Sequence, residues 1–189
     1  SREMIDLKKK QSISLAKNNA AMEQVTVGLS WDESDLNGKT PDADASVFML
    51  DSSGKVPNDG FFIFYNNLVS PDGAVRHNGD NRTGAGDGDD ETVDIDLVKI
   101  APEIQNVYVV VTIHNATDGF NFGNVVNASV RVYDRSNRST LCEFRLSERY
   151  PEWDAMILGR LYRSEQGWSF EAMGDGFSGG LQACLDQYT

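Results

Sequence analysis

The chain has 189 residues, of which 40% are hydrophobic, 10% aromatic and 24% charged, and it carries a net charge of −12. That balance reads as globular and not disordered, and the length suffices for one domain with a real core. No apolar run approaches the roughly 18–20 residues of a membrane-spanning helix, and 13 acidic against 4 basic residues between Asp32 and Glu91 argue against nucleic acid or an anionic membrane as partner.

Ser1-Arg2-Glu3 reads as cloned sequence ahead of a natural start at Met4, with no apolar stretch behind it to form a signal peptide. Residues 1–10, with Lys8-Lys9-Lys10, are expected to be variable or cloned, and residues 11–189 to form a single domain. From there the dominant period is two. Val25, Val27, Leu29 and Trp31 alternate with polar or small residues, and Ala45–Leu50 and Phe61–Phe64 are shorter apolar runs that also read as strands. Val93, Ile95 and Leu97 alternate again. Asn106–Asn115 is apolar on both faces, which predicts a central strand covered on both sides. Val130 and Val132, then Cys142, Phe144 and Leu146, then Trp168, Phe170 and Ala172 continue the pattern. Turn signals such as Asp51-Ser52-Ser53-Gly54, Pro71-Asp72-Gly73 and Asp118-Gly119 separate these runs.

The fold class predicted from this pattern is mostly β, a two-sheet β-sandwich with one or two short helices. Leu97–Ile104 is expected to hold one or two helical turns, Ala155–Arg163 suits either strand or helix, and Gly179–Tyr188 is a candidate C-terminal helix with Leu181, Cys184 and Leu185 on one face. Two cysteines, Cys142 and Cys184, do not make a disulfide framework and are expected as free thiols.

The segment from Gly79 to Glu91 carries five carboxylates, four glycines and the single compensating Arg82. Two unit charges about 5 Å apart repel by roughly 3 kcal/mol at an effective dielectric near 20, so gathering these carboxylates calls for a cation. Calcium fits, because it takes oxygen ligands from carboxylates, amides and backbone carbonyls, and Gly84, Gly86 and Gly88 let carbonyls turn inward. Magnesium is second choice because it keeps its waters, and zinc would want His or Cys, which this segment lacks. A helix–loop–helix calcium site fails: Arg82 would take a ligand place, Ala85 would take the place that requires Gly, and no helix flanks the segment. A phosphate-binding loop fails on charge. Asp42 and Asp44, two residues apart on one face of an extended segment, are further candidate ligands, whereas Asp32, Asp51 and Asp59 read individually as turn formers.

Several stretches together resemble a known family, the tellurium-resistance D (TerD-like) bacterial stress proteins. They are Val25-Thr26-Val27-Gly28-Leu29-Ser30-Trp31-Asp32, Asp42-Ala43-Asp44-Ala45-Ser46, Phe62-Ile63-Phe64-Tyr65-Asn66, Gly79-Asp80-Asn81-Arg82-Thr83-Gly84 with Gly88-Asp89-Asp90-Glu91, Thr112-Ile113-His114, Phe122-Gly123, Gly167-Trp168 and Gly179-Gly180-Leu181. The resemblance runs from about Ile13 to the C-terminus. It departs in Ala43, where Leu is usual, in Asp87, where Glu is frequent, and in residues 6–10, which fit poorly.

The resemblance implies a calcium-binding β-sandwich in the cytoplasm, without a defined catalytic activity. It also implies a role in stress tolerance beside other tellurium-resistance proteins, including an integral membrane partner. The ligands it implies are Asp42, Asp44, Asp80, Asn81, Asp87, Asp89, Asp90 and Glu91, with Thr83, Gly84, Gly86 and Asn66 added through hydroxyl, carbonyl or amide oxygens. So many oxygens suit two calcium ions. Two rival readings are a calcium-dependent lipid-binding module of the synaptotagmin type, with Phe61-Phe62 and Phe120-Asn121-Phe122 at its loop tips, and a carboxylate-based hydrolase. The hydrolase reading is disfavoured because the segment offers no apolar setting to raise a carboxyl pKa. Of the two histidines, His77 near the acidic segment is a candidate group behind the ligands but reads more readily as an exposed turn residue, and His114 reads as a hydrogen-bonded core residue in mid-strand.

Overall fold

The computed structural model describes residues 4–17, 20–33, 41–80, 89–114, 116, 119–146 and 150–189. Among the described residues fourteen strands are present in chain order. The first seven are β1 (Ile5–Leu7), β2 (Ser12–Ser14), β3 (Ala16–Lys17), β4 (Ala20–Ala21), β5 (Gln24–Glu33), β6 (Ala43–Leu50) and β7 (Phe62–Ile63). They are followed by β8 (Val75–Asp80), β9 (Glu91–Asp96), β10 (Asn106–Ile113), β11 (Val125–Asp134), β12 (Thr140–Arg145), β13 (Ala155–Ser164) and β14 (Gly167–Phe177). The helical elements include a 3-10 turn at Asp59–Phe61 and the C-terminal helix α1 (Gly180–Tyr188).

The strands form two six-stranded sheets, ordered β1-β12-β11-β5-β9-β8 and β2-β14-β13-β10-β6-β7, with β3 and β4 as a small separate hairpin. The alternation read from the sequence is what makes the sandwich. Val25, Val27 and Leu29 of β5 and Val93 and Ile95 of β9 point inward and meet Val47 and Met49 of β6 and Val107, Val109 and Val111 of β10, all fully buried. β10 lies between β13 and β6, and its other face is covered as expected, because α1 packs over Val110, Phe48, Leu50 and Ile157 with Cys184 and Tyr188. The helix starts where the Asp154 carboxylate accepts the Gly180 N–H at 2.7 Å, next to the positive end of the helix dipole.

The two ambiguous segments resolve differently. Ala155–Ser164 is strand β13, paired with β10 on one side and β14 on the other, with a bulge at Leu158. Leu97–Ile104 is not helical. The Ala101 N–H is taken by Asp72 Oδ2 at 2.8 Å, Pro102 has none to give, and the Lys99 and Ile104 N–H groups bond only to the Asp96 and Ala101 carbonyls, at 3.1 and 3.0 Å, so single turns form in place of a helical ladder. Leu97, Ile100 and Ile104 still enter the core, from a run of turns. At the N-terminus, Ile5–Leu7 pairs in parallel with Cys142–Phe144 and extends the first sheet. Cys142 and Cys184 are both free and buried, one in the core between the sheets and the other under the helix. Among the described residues no helix is long and apolar enough to cross a membrane.

Candidate metal centre

One open edge of the sandwich sets β8, the last strand of the first sheet, against the start of β6 in the second. On β8, Val75 and His77 share the inward side, so His77 is carried between the sheets and is only 3% exposed. This corrects the expectation of an exposed turn histidine. Its Nδ1 accepts the N–H of Gly79 at 2.9 Å, which places the ring proton on Nε2. Nε2 in turn faces the carbonyl of Ala45 at 3.1 Å and Glu91 Oε1 at 3.4 Å. Gly79 makes this turn with φ of 75°, a conformation open to glycine.

Glu91 opens β9 and is 1% exposed. Its Oε2 accepts the N–H of Ala45 at 2.7 Å, crossing from one sheet to the other. The same N–H lies 3.1 Å from Asp44 Oδ1, so Asp44 and Glu91 converge on one backbone donor. Asp44 Oδ2 stands 3.5 Å from His114 Nε2. His114 lies just past the end of β10 and is exposed, not in mid-strand, and its N–H donates to the Asp42 carbonyl at 2.7 Å. Burial works against ionisation of Asp44. The hydrogen bond with His114 and the positive charge of that imidazole outweigh it and hold the carboxyl at about 2. The hydrogen bond to Asp44 raises the pKa of His114, with burial opposing it.

Asp44, His77 and Glu91 bring one ligand atom each to within 4.8 Å of one another. With Asp42, Gly79 and His114 they line an open cleft of about 570 Å³, rimmed by Tyr65 and Leu68. That volume accommodates an ion with several of its waters.

The remaining predicted ligands are distributed as follows. Asp89 and Glu91 leave the chain on opposite sides of the sheet. Asp89, 4% exposed, lies on the outer face, where Arg131 Nη2 donates to Oδ1 and the Tyr133 hydroxyl to Oδ2, each at 2.8 Å. Gly28 on β5 makes room for it: a Cβ there would stand 2.3 Å from Asp89 Oδ2. Asp90 is tied to β5, where its Oδ2 accepts the Trp31 N–H at 2.8 Å and its own N–H goes to the Leu29 carbonyl at 2.8 Å. Three consecutive acidic residues therefore have three different anchorages. The backbone of Asp80 pairs with that of Glu91. Asn66 is exposed in the turn between Phe64 and Asn67, flanked by the rim residues Tyr65 and Leu68. Asn81, Thr83, Gly84, Gly86 and Asp87 lie outside the described residues.

Sequence reasoning joined Asp44 to the end of the acidic segment, and the structure brings Asp44 and Glu91 together. It weighed His77 only as a group behind the ligands and preferred an exposed turn, and it missed Arg131 and Tyr133 as partners of Asp89. The Val75–His77 alternation after Pro71-Asp72-Gly73 was a usable signal for the first. Local sequence held none for the other two. Phe61, Phe62, Phe120 and Phe122, the residues that a lipid-binding module would have presented at its tips, are 5%, 7%, 1% and 0% exposed and belong to the interior.

A TerD domain model matches residues 4–188. The tellurium resistance protein TerD of Serratia marcescens is 44% identical over 185 residues, covering 97% of this chain and 96% of that protein. General stress protein 16U of Bacillus subtilis (strain 168) is 41% identical over 186 residues, covering 97% and 96%. The crystal structure of a homologue of telluride resistance protein (TerD) from Streptomyces coelicolor A3(2) superposes with a TM-score of 0.64 at 23% identity, over 87% of this chain and 96% of that one, and so shares the fold. The chain belongs to the TerD domain family of tellurium-resistance and general stress proteins.

Proposed function

We propose that this protein binds calcium at the cleft between β6 and β8 and serves the stress response as a calcium-dependent interaction module. The carrying observation is that Asp44 and Glu91, from opposite sheets, converge at the end of a segment rich in carboxylates and glycine. A cation there offsets the repulsion among Asp42, Asp44 and Glu91, and the further oxygens that the sequence carries between Asp80 and Glu91 suit two ions. Calcium suits the carboxylates, and the buried His77 lines the same cleft with its Nε2 3.4 Å from Glu91 Oε1.

The names of the relatives support a role in tellurium resistance and general stress. We place the protein in the cytoplasm, working with other tellurium-resistance proteins, one of them integral to the inner membrane. The role is non-catalytic. A general acid would need a raised carboxyl pKa, whereas Asp44 is held low at about 2.

Thermal unfolding of metal-stripped protein in calcium and in chelator tests the reading. At about 100 times its dissociation constant, a ligand of the folded state adds roughly 2.7 kcal/mol. That corresponds to a rise of roughly 5–11 °C in Tm for a domain of this size. No rise with calcium sinks the proposal.

A further inference from the structure

The outer face of the first sheet carries another cleft, of about 250 Å³, where β5 and β9 meet the turn that joins β11 to β12. That is below the roughly 300–1,000 Å³ of sites for drug-sized ligands, so its occupant is small. Thr26 and Thr92 line it from the strands, and the turn brings Arg135 and Arg138 to it. The turn is closed by Asp134, whose carbonyl accepts the Arg138 N–H at 2.7 Å and whose N–H donates to the Ser139 carbonyl at 2.9 Å. Arg138 holds φ at 61°, a left-handed conformation that glycine adopts freely and a side chain resists. The residue that stands there instead of glycine lines the cleft with a guanidinium that, among the described residues, has no hydrogen-bond or ion-pair partner. Arg135 is held loosely, its Nε 3.8 Å from Asp94 Oδ1.

The charges of the lining select the occupant. Asp89 is spent on Arg131 and Tyr133. That leaves Asp94 and Asp134 against Arg135 and Arg138, two charges of each sign. A dianion or a dication would be repelled by half of this lining, whereas a molecule with one charge of each sign meets both halves. Asp94 receives the Thr26 hydroxyl at 2.7 Å and faces Arg135 through the same oxygen, Oδ1, so Oδ2 keeps its lone pairs. The Thr92 hydroxyl accepts the Asn78 amide at 3.0 Å and keeps its own proton to give.

We propose that this cleft binds a small neutral zwitterion, an α-amino acid with a polar side chain. Its carboxylate sits on the Arg138 and Arg135 guanidiniums, whose paired N–H groups match the two oxygens. Its ammonium donates to Asp94, and its side chain meets the hydroxyls of Thr26 and Thr92. The site is separate from the cation cleft and does not rest on the calcium reading.

The test titrates full-length protein, in chelator, with L-serine and L-glutamine and follows binding by calorimetry and by amide nuclear magnetic resonance signals. At least one of the two is expected to bind and to shift the signals of Thr26, Thr92 and Arg138. Ethanolamine and 4-aminobutanamide, the same molecules without the carboxylate, are expected to bind at least about tenfold more weakly, the loss that follows a charge-assisted hydrogen bond. Both are cations, so simple attraction to an acidic chain would make them bind better. Arg138→Gly removes the guanidinium and relaxes the backbone together, so the amino acid weakens by at least about tenfold while Tm holds or rises. Arg135→Gln also weakens it, and Asp44→Ala, in the cation cleft, leaves it unchanged. Unchanged affinity in Arg138→Gly overturns the proposal, as does equal or tighter binding of the amines. Inorganic phosphate that binds more tightly and shifts the same signals overturns it in favour of a plain anion site. No shift from either amino acid at about 10 mM, roughly the weakest affinity such a site could use, overturns it outright.

Discussion

Gly28 has no side chain because Asp89 needs the space. The carboxylate lies over the glycine on the outer face of the first sheet, held by Arg131 and Tyr133. Gly28→Ala would drive its Cβ to 2.3 Å from Asp89 Oδ2 and dislodge a buried carboxylate from two charge-assisted bonds. The expected loss is about 2–4 kcal/mol, measured by urea denaturation. An unchanged midpoint would show that Asp89 has another place to go. At this scale the sequence was least legible. Asp89, Asp90 and Glu91 look alike as neighbours, yet one faces out, one binds β5 and one faces in. Charge and spacing mark the cluster, whereas the division of labour depends on Arg131, Tyr133 and Ala45, whose proximity arises only when the sheets pair.

At the scale of elements, period-two alternation was a sound guide wherever one face is buried, as in β5 and β9. It failed in two physical situations. Ala155–Ser164 is buried on both faces through much of its length, so its sequence carries no alternation to separate strand from helix. Leu97–Ile104 has helix-like apolar spacing, but Asp72 takes the Ala101 donor and Pro102 has none, which interrupts a helical ladder. The C-terminal helix was legible because it is amphipathic. Its last large residue, Tyr188, packs with ring centroids 5.4 Å from both Phe48 and Tyr108, and its carbonyl accepts the Val56 N–H at 2.9 Å. Tyr188→Ala should cost ~3 kcal/mol by opening a cavity over β6 and β10. Chemical denaturation checks this, and a cost below about 1 kcal/mol would mean that the helix closes over the gap.

At the scale of the whole molecule, a net charge of −12 opposes compaction, and most of it belongs to the stretch from Asp32 to Glu91. Without divalent ions, raising NaCl from about 0.01 to 0.15 M shortens the screening length from roughly 30 to 8 Å. Tm in chelator should therefore rise across that range, and a flat or falling Tm would show that the repulsion is already neutralised by internal ion pairs.

The pairing of Asp80 with Glu91 has one more consequence. The two ends of the acidic segment are already joined by the sheet ladder, so the entropy of bringing them together is met when the protein folds. For a loop of about ten residues that entropy is roughly 2 kcal/mol. An excised peptide with the same carboxylates would have to meet it out of each ion it captured, and the folded protein does not.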